Sequence, residues 1–505
     1  MDKLTLCAIF SDGCVLQRNK EIKIWGGGQN GAEVTVSLCG ESVIAVVENG
    51  KWLARVPAIP AVESCNLVVT SGKDKLTIKD IAIGEVWIAG GQSNMEMSMM
   101  FDADAQSETD TNLNFRFFDV PRISYEGQEK DEDYSEFGFW RRCDKENIPY
   151  FSAVSYYFGK ILQKSLNVPI GIVGCNYGGT SASCWMPEED LQSDAELKRY
   201  LEDYRNSLLG IDIEQCNKNF LNERKLYQEP EIIEYFSMLS KGGYTLAQIE
   251  EYISNHPVVK QIINKSPLIG PMHPYRPASL YHTMLKKIAP YSTRGMIWYQ
   301  GESDEGKAEM YAKLFETMIK RWRQTWQDNL SFLFVQLAPF GRWLDDSGKN
   351  YPAVREQQEQ VSKNVPGAYM ASIMDCGEQY DIHPKRKRPV GERLARLALG
   401  KVYGLDVPCE PPEAVSCTAD EHGVKINFIN CGNGLSLRGK RINGLQVFGN
   451  GHEIMDYDIN ISSDTVTIIC CESIREVRFA WLDYVDANLY GNDGLCAKPF
   501  KLKTT

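Results

Sequence analysis

Residues 81–95 read Ile81-Ala82-Ile83-Gly84-Glu85-Val86-Trp87-Ile88-Ala89-Gly90-Gly91-Gln92-Ser93-Asn94-Met95. Val86 to Ala89 is an unbroken apolar run of strand length, the pattern of a strand covered on both faces, and Gly90-Gly91 stop it abruptly. A serine just beyond such a strand lies where open α/β sheets place ligands. Paired glycines let the backbone turn sharply and approach a substrate. Ser93 also reads as a helix N-cap, with Glu96 three residues on as in a capping box. The two readings are compatible, because a helix beginning here aims free backbone N–H groups at whatever sits beside the serine. Which one holds depends on partners elsewhere in the chain.

Working outward, the chain changes character twice. The first eighty residues read as all-β. Glu21 to Trp25 and Val34 to Leu38 alternate with period two, Gly26-Gly27-Gly28 and Asn30-Gly31 supply turns, and short strands follow through Val43–Val47, Lys51–Val56, Asn66–Thr70 and Leu76–Ile81. Trp25 in this pattern is core rather than a sugar platform. From residue 81 to about 403, buried-strand runs at Ile170–Gly174, Gly295–Tyr299, Phe332–Gln336 and Ala368–Met374 alternate with helical patterns at Phe151–Leu166, Met310–Trp326 and Pro389–Val402. That alternation predicts a parallel sheet with helices on both faces. Residues 188–269 interrupt it with a charged, helix-patterned insertion, read either as a lid or substrate wall or as a structural or dimerising element. After Gly404 short strands return at Val424–Phe428, Gly444–Phe448, Val466–Cys470 and Val477–Trp481. The expected class is α/β, with a β domain over 1–80, a core over 81–403 and a second β domain over 404–505.

A chain of 505 residues exceeds one ordinary core. Its net charge of −12 and pI near 5.2 argue against nucleic acid as the main partner. No apolar stretch reaches the length of a membrane span, and Met1 to Gly13 lacks the regions of a signal peptide. The chain reads as cytoplasmic, a reading that a secreted protein trimmed of its leader would share. Fifteen cysteines, with no CxxC pair and no zinc spacing, read mostly as buried small hydrophobes in a reducing compartment. No metal site is expected, and a homo-oligomer stays open.

A serine nucleophile needs a base, and there are six histidines: His256, His273, His282, His383, His422 and His452. His383, in Tyr380-Asp381-Ile382-His383-Pro384, falls between a strand pattern and a helix pattern, again at the expected carboxyl edge of the sheet. Acyl transfer also needs donors for an oxyanion. Gly178-Gly179-Thr180 can present a backbone N–H without a side chain in the way, and Gln300, after the strand ending in Trp298-Tyr299, carries a fixed amide donor. Four strand-end elements of complementary chemistry are more specific than any one alone.

On these residues the sequence resembles the sialate O-acetylesterase family of carbohydrate esterases, a branch of the SGNH hydrolases. The likeness runs through FSDGCVLQRNKEIKIWG (10–26), GEVWIAGGQSNMEM (84–97), CNYGGTSASCWMP (175–187), RPASLYHTMLKKIAPYSTRGMIWYQGESD (276–304), YPAVREQQ (351–358), DIHPKRKRPVGERLA (381–395) and VRFAWLDYVDANLYGNDGLCAKPFK (477–501). It implies a flavodoxin-like SGNH core with N- and C-terminal β-sandwich-like domains and no cofactor. By motif match, Ser93 is the nucleophile and His383 its base. The Ser93 N–H, a glycine of the Gly178-Gly179 pair and Gln300 form the oxyanion hole. Met95 stands where a GxSxG elbow has its second glycine. One position departs from the family pattern: Tyr380 occupies the place three before the histidine where an aspartate is usual. Asp381 is then the third member, unless a backbone carbonyl or Glu302 orients His383 and leaves a dyad.

The resemblance implies removal of acetyl groups from sugar hydroxyls through an acyl-enzyme. Arg355 is a candidate to read a sugar carboxylate, Trp185 to stack on a sugar, and Glu302 to contact substrate; the run Lys385-Arg386-Lys387-Arg388 reads first as a solvated basic turn at a helix start and otherwise as a second carboxylate reader. Acetylated sialic acids and plant-glycan esters such as acetyl xylan are both substrates within the resemblance. A carbohydrate-binding protein with an inert core is the reading from a different class.

Overall fold

The computed structural model describes residues 3–108, 112–130, 132–241, 243–263, 268–343, 346–420 and 423–505. Two compact units emerge, Met1–Trp298 with Lys313–Phe332, and Tyr299–Ala312 with Leu333–Thr505. They are described in turn.

The first unit is built on one strand of 18 residues, Asp74–Gly91. Burial alternates from Asp74 to Asp80 and is continuous from Ile81 to Gly91. The change reflects the neighbours. Up to Ile83 the strand pairs antiparallel with Val62–Ser71, and from Glu85 onward it pairs parallel with Ile170–Asn176, where layers on both faces exclude water. The break expected at residues 80 and 81 is therefore a change of surroundings inside one strand. Asp80 marks it with a φ of 56°, and its carboxylate receives Arg142 and the buried Arg116, the latter at 3.3 Å. Glu85, the one charge in the buried run, is paired with Arg18 at 2.6 Å and Arg294 at 2.9 Å.

Around the first half of that strand lie the short strands of the N-terminal region. Ile22–Gly27 pairs with Lys51–Val56, and Glu33–Leu38 pairs with Glu41–Val46 and with Val62–Ser71. A disulfide joins Cys39 to Cys65, a departure from the expected reducing compartment; most of the remaining cysteines are buried thiols, as expected. Trp25 packs edge-on against Phe10 at 4.7 Å. Around the second half, the order is Trp140–Cys143, Asn112–Asp119, Ile170–Asn176, Asp74–Gly91 and Gly295–Tyr299. Helix Ala153–Leu166 begins where the Ser152 side chain accepts the Ser155 N–H and ends at left-handed Asn167.

Within 188–263 the chain forms helices Glu188–Ser193, Lys198–Ser207, Ile213–Leu226, Pro230–Lys241, Leu246–Asn255 and Pro257–Ile263. The last three share a small core of Ile232, Tyr235 and Val259. Residues 264–267 of the expected insertion lie outside the described residues.

In the second unit, Ala368–Ala371 follows Ser331–Val335 in sheet order, and helices Tyr351–Asn364 and Arg388–Leu397 accompany them. The C-terminal region forms two four-stranded antiparallel sheets. One holds Glu413–Asp420, Gly423–Ile429, Thr465–Ile469 and Asp458–Ser462, the other Glu453–Ile454, Leu445–Phe448, Glu476–Phe479 and Phe500–Lys503. Their alternating residues, among them Ile426, Val447, Ile468 and Phe479, fill one core that also takes Met374. No described helix is long and apolar enough to cross a membrane.

Candidate active site

In the first unit, Gly90 and Gly91 end the parallel portion of the long strand, each for its own reason. A Cβ on Gly90 would lie 2.9 Å from the Trp298 ring, and Gly91 has a φ of 140°. The chain then turns into a single helical turn, Ser93–Glu96, with Gln92 as its N-cap and no side-chain cap bond. Ser93 is thus the first helical residue, half-buried, and the capping box does not form. The loop after Ile170–Asn176 lies against it. A Cβ built on Gly178 would sit 3.5 Å from Ser93 Cβ. The Tyr177 N–H donates to Gly91 O at 3.1 Å, and the Thr180 hydroxyl donates to Tyr177 O at 2.7 Å.

Glu96 reaches out of this turn. Its Oε2 accepts the Gly178 N–H at 2.6 Å, and its Oε1 pairs with Arg122 Nη1 at 2.7 Å. Burial works against the Arg122 charge, but Glu96 and Asp119 outweigh it and hold the guanidinium above its ordinary value. Asp119, at the end of Asn112–Asp119, is pushed up to about 7, chiefly by burial. Gly179 takes a φ of 74°, and a Cβ there would collide with Tyr275. Tyr275 packs against His273 at 4.6 Å between ring centroids. Arg224, from helix Ile213–Leu226, donates to Tyr177 Oη at 3.2 Å and to Glu132 at 2.6 Å, tying the helical segment to this loop.

In the second unit, His383 lies between strand Ala368–Ala371 and helix Arg388–Leu397, half-buried. Asp381 Oδ1 accepts the His383 backbone N–H at 2.7 Å, an Asx turn. The His383 ring Nδ1 is 3.9 Å from the same oxygen, beyond hydrogen-bond reach. The other Asp381 oxygen pairs with Lys385 at 2.9 Å. Asp381 therefore holds the backbone of the histidine loop, and the ring contact expected of a third triad member is absent. Burial, then Lys387 and Lys385, push the His383 pKa down to about 3, so the ring is neutral at ordinary pH. Lys387 is itself buried, 5.6 Å over the Tyr299 ring.

Gln300 is fully buried in the same unit. Its Nε2 donates to Asp304 at 2.7 Å, its Oε1 accepts from the Tyr311 hydroxyl at 3.0 Å, and its carbonyl accepts from Gln358 at 3.2 Å. The amide is held in one orientation. Gly301 follows with a φ of 148°, and Glu302 is 7% exposed.

Two expected substrate contacts are corrected. Trp185 is fully buried, edge-on to Trp298 at 6.2 Å, with its Nε1 donating to Thr180 Oγ1 at 3.1 Å. It offers no face to a sugar. Arg355 is also fully buried, and its guanidinium donates to the carbonyls of Leu337, Ala338, Leu482 and Asp483. Burial lowers its pKa to about 10. It fastens helix Tyr351–Asn364 to the C-terminal region and reads no substrate anion. Of the two candidate glycine amides, Gly178 is committed to Glu96.

Among the other histidines, His273 is buried and pushed down to about 4, His256 bonds Tyr252 O at 2.7 Å, and His452 pairs with Glu472 at 2.9 Å. His422 lies outside the described residues. Sequence reading missed Arg122, Tyr275 and the contacts that Glu96 makes with Gly178 and Arg122. The GGTS turn signalled a close approach, but what approaches it comes from distant segments. Among the described residues, no cluster of His, Cys, Asp or Glu is grouped to hold a metal ion.

Residues 270–400 match the family model described as carbohydrate esterase, sialic acid-specific acetylesterase. Among curated proteins, the sialate O-acetylesterases of Rattus norvegicus and Mus musculus are 27% and 26% identical, the matches covering 75% of this chain and 70% of each relative. Among solved structures, a carbohydrate acetylesterase from Xanthomonas citri superposes with a TM-score of 0.76 at 27% identity, covering 98% of this chain and 99% of its own.

Proposed function

We infer a serine mechanism for this chain, which belongs to the sialic acid-specific acetylesterase family and is a carbohydrate O-acetylesterase. Ser93 is the nucleophile and His383 the general base, acting as a dyad. His383 takes the Ser93 proton as Oγ bonds to the acetyl carbonyl carbon. The tetrahedral oxyanion is held by the N–H groups of Ser93 and Gly179 and by the Gln300 amide. The C–O bond to the sugar then breaks, and the departing sugar oxygen takes the proton from His383. Water, deprotonated by His383, attacks the acetyl-enzyme; acetate leaves and Ser93 regains its proton.

The observation that carries this reading is the packing of the Gly178-Gly179 turn against Ser93, with a Gly178 Cβ position only 3.5 Å from Ser93 Cβ. Side-chain-free amides beside a strand-end hydroxyl are what acyl transfer requires. A histidine held neutral is unprotonated before attack, the form a general base must start from. The matching fold reading is an SGNH core over 81–403 carrying β-sandwich-like domains at 1–80 and 404–505.

For the substrate, the family model and the rodent relatives favour O-acetylated sialic acid. The near-complete match to a bacterial carbohydrate acetylesterase favours a second reading, another acetylated glycan. Loss of Arg355 from the substrate contacts weakens the first reading, and loss of Trp185 removes a sugar platform from both; Glu302 and the run Lys385-Arg386-Lys387-Arg388 stay as candidates. The Cys39–Cys65 pair favours an oxidising compartment over the cytoplasm.

The test is acetate release from O-acetylated sialic acid and from acetylated xylo-oligosaccharides, by wild type, Ser93→Ala and His383→Ala. Each variant is expected to lose about 10³-fold or more in kcat on the better substrate while folding normally. Near-normal turnover in either sinks the dyad, and the preferred sugar decides between the substrate readings.

A further inference from the structure

We propose that Glu96 is a positioning residue for the oxyanion hole. Its carboxylate clamps the Gly178-Gly179 loop to the helical turn that carries Ser93, and Arg122 aims that carboxylate. The inference rests on the serine mechanism above.

Four observations meet at this side chain. Glu96 sits on the same single turn of helix as Ser93, so its backbone moves with the nucleophile. One oxygen takes the Gly178 N–H at 2.6 Å, a charge-assisted bond of the strong kind. The other oxygen is fixed by Arg122 at 2.7 Å. A Gly178 Cβ would lie 3.2 Å from Glu96 Oε2 and 3.5 Å from Ser93 Cβ, so the glycine is close to both the carboxylate and the nucleophile.

The chemical consequence follows from peptide geometry. Only the two backbone torsions of Gly178 separate a planar peptide fixed at its Gly178 N–H from the next amide, and Gly178 is packed closely against Glu96 and Ser93. That next amide is Gly179 N–H, the one the mechanism uses. An oxyanion donor is effective when it is aimed before the charge develops, so a clamp on its neighbour acts on the transition state rather than on substrate binding. Glu96 touches neither substrate nor reacting atoms in this scheme.

The experiment compares wild type with Glu96→Ala, Glu96→Gln, Arg122→Met and Ser93→Ala. Acetate release is measured per mole of serine titrated by a fluorophosphonate, and thermal melts are run alongside. Glu96→Ala is expected to lower kcat about 30-fold with KM within about threefold, as for an interaction made only in the transition state. Glu96→Gln keeps an oxygen for the Gly178 N–H and is expected to restore kcat to within about fivefold of wild type. Arg122→Met, which frees the carboxylate without deleting it, is expected to fall between them.

If Ser93→Ala is inactive while Glu96→Ala turns over like wild type, the clamp is wrong and the mechanism stands. A raised KM with unchanged kcat in Glu96→Ala also overturns it, by making Glu96 a substrate contact. So does a Gln variant no better than the Ala variant. If Ser93→Ala labels and turns over like wild type, the serine mechanism itself has failed. Should Glu96→Ala not fold, an Arg122→Met protein with wild-type kcat, together with a Gln variant as impaired as a misfolded one, refutes the clamp.

Discussion

The serine loop and the histidine loop are held by the same device built over different distances. In each, a carboxylate captures a backbone N–H: Glu96 takes that of Gly178 at 2.6 Å, and Asp381 takes that of His383 at 2.7 Å. Each carboxylate is also paired with a cation, Glu96 with Arg122 and Asp381 with Lys385. The difference is reach. Asp381, His383 and Lys385 are near neighbours in sequence, whereas Glu96, Arg122 and Gly178 come from three separate segments. A local clamp forms wherever the loop forms; a long-range clamp exists only when the sheet has assembled. The serine loop should accordingly be the more sensitive to substitution at its clamp.

The sharpest way to break this comparison is at the glycines. Gly179→Ala forces a side chain onto a φ of 74° and into Tyr275, and it should cost about 10²-fold in kcat, the scale of losing one oxyanion donor. Wild-type kcat in a folded Gly179→Ala protein would remove the loop from the mechanism. Asp381→Asn tests the other loop. An asparagine oxygen still takes the His383 N–H, so the loss should stay within about tenfold, against about 10⁴-fold for removing a true triad aspartate. A loss on that larger scale would mean that the ring contact forms during turnover.

The smallest expected effect is on pH. With His383 pushed down to about 3, the base is neutral throughout the usual range, and the acid limb of kcat/KM should lie well below the ordinary histidine value. Lys387→Met removes a positive charge that disfavours the protonated ring. The histidine pKa should then rise and the acid limb move up in pH. An unmoved limb would mean that burial alone sets the value.

Element types were largely legible. The alternation of Glu21 to Trp25, the apolar run Val86–Ala89 and the helical pattern before Leu166 all became the elements their periodicity dictates. Legibility failed where one residue type serves two environments. Trp185 and Arg355 stand in family motifs, and exposed they would suit a sugar and an anion, but the structure closes over both. Glu96 reads as a capping partner because only its sequence neighbours are visible in sequence, and Asp381 reads as a triad member for the same reason.

What the sequence determined by itself is therefore local and chemical. It shows which runs are strands or helices, that the pattern changes near residue 80, and which hydroxyl, imidazole and amides are candidates for acyl transfer. Tertiary structure decided that one strand carries both environments, that Gly178 is taken by a carboxylate, and that Arg355 is a staple. The reason is physical. Periodicity and turn chemistry act over a few residues, whereas burial and the partner of a charged group depend on segments that meet only after folding.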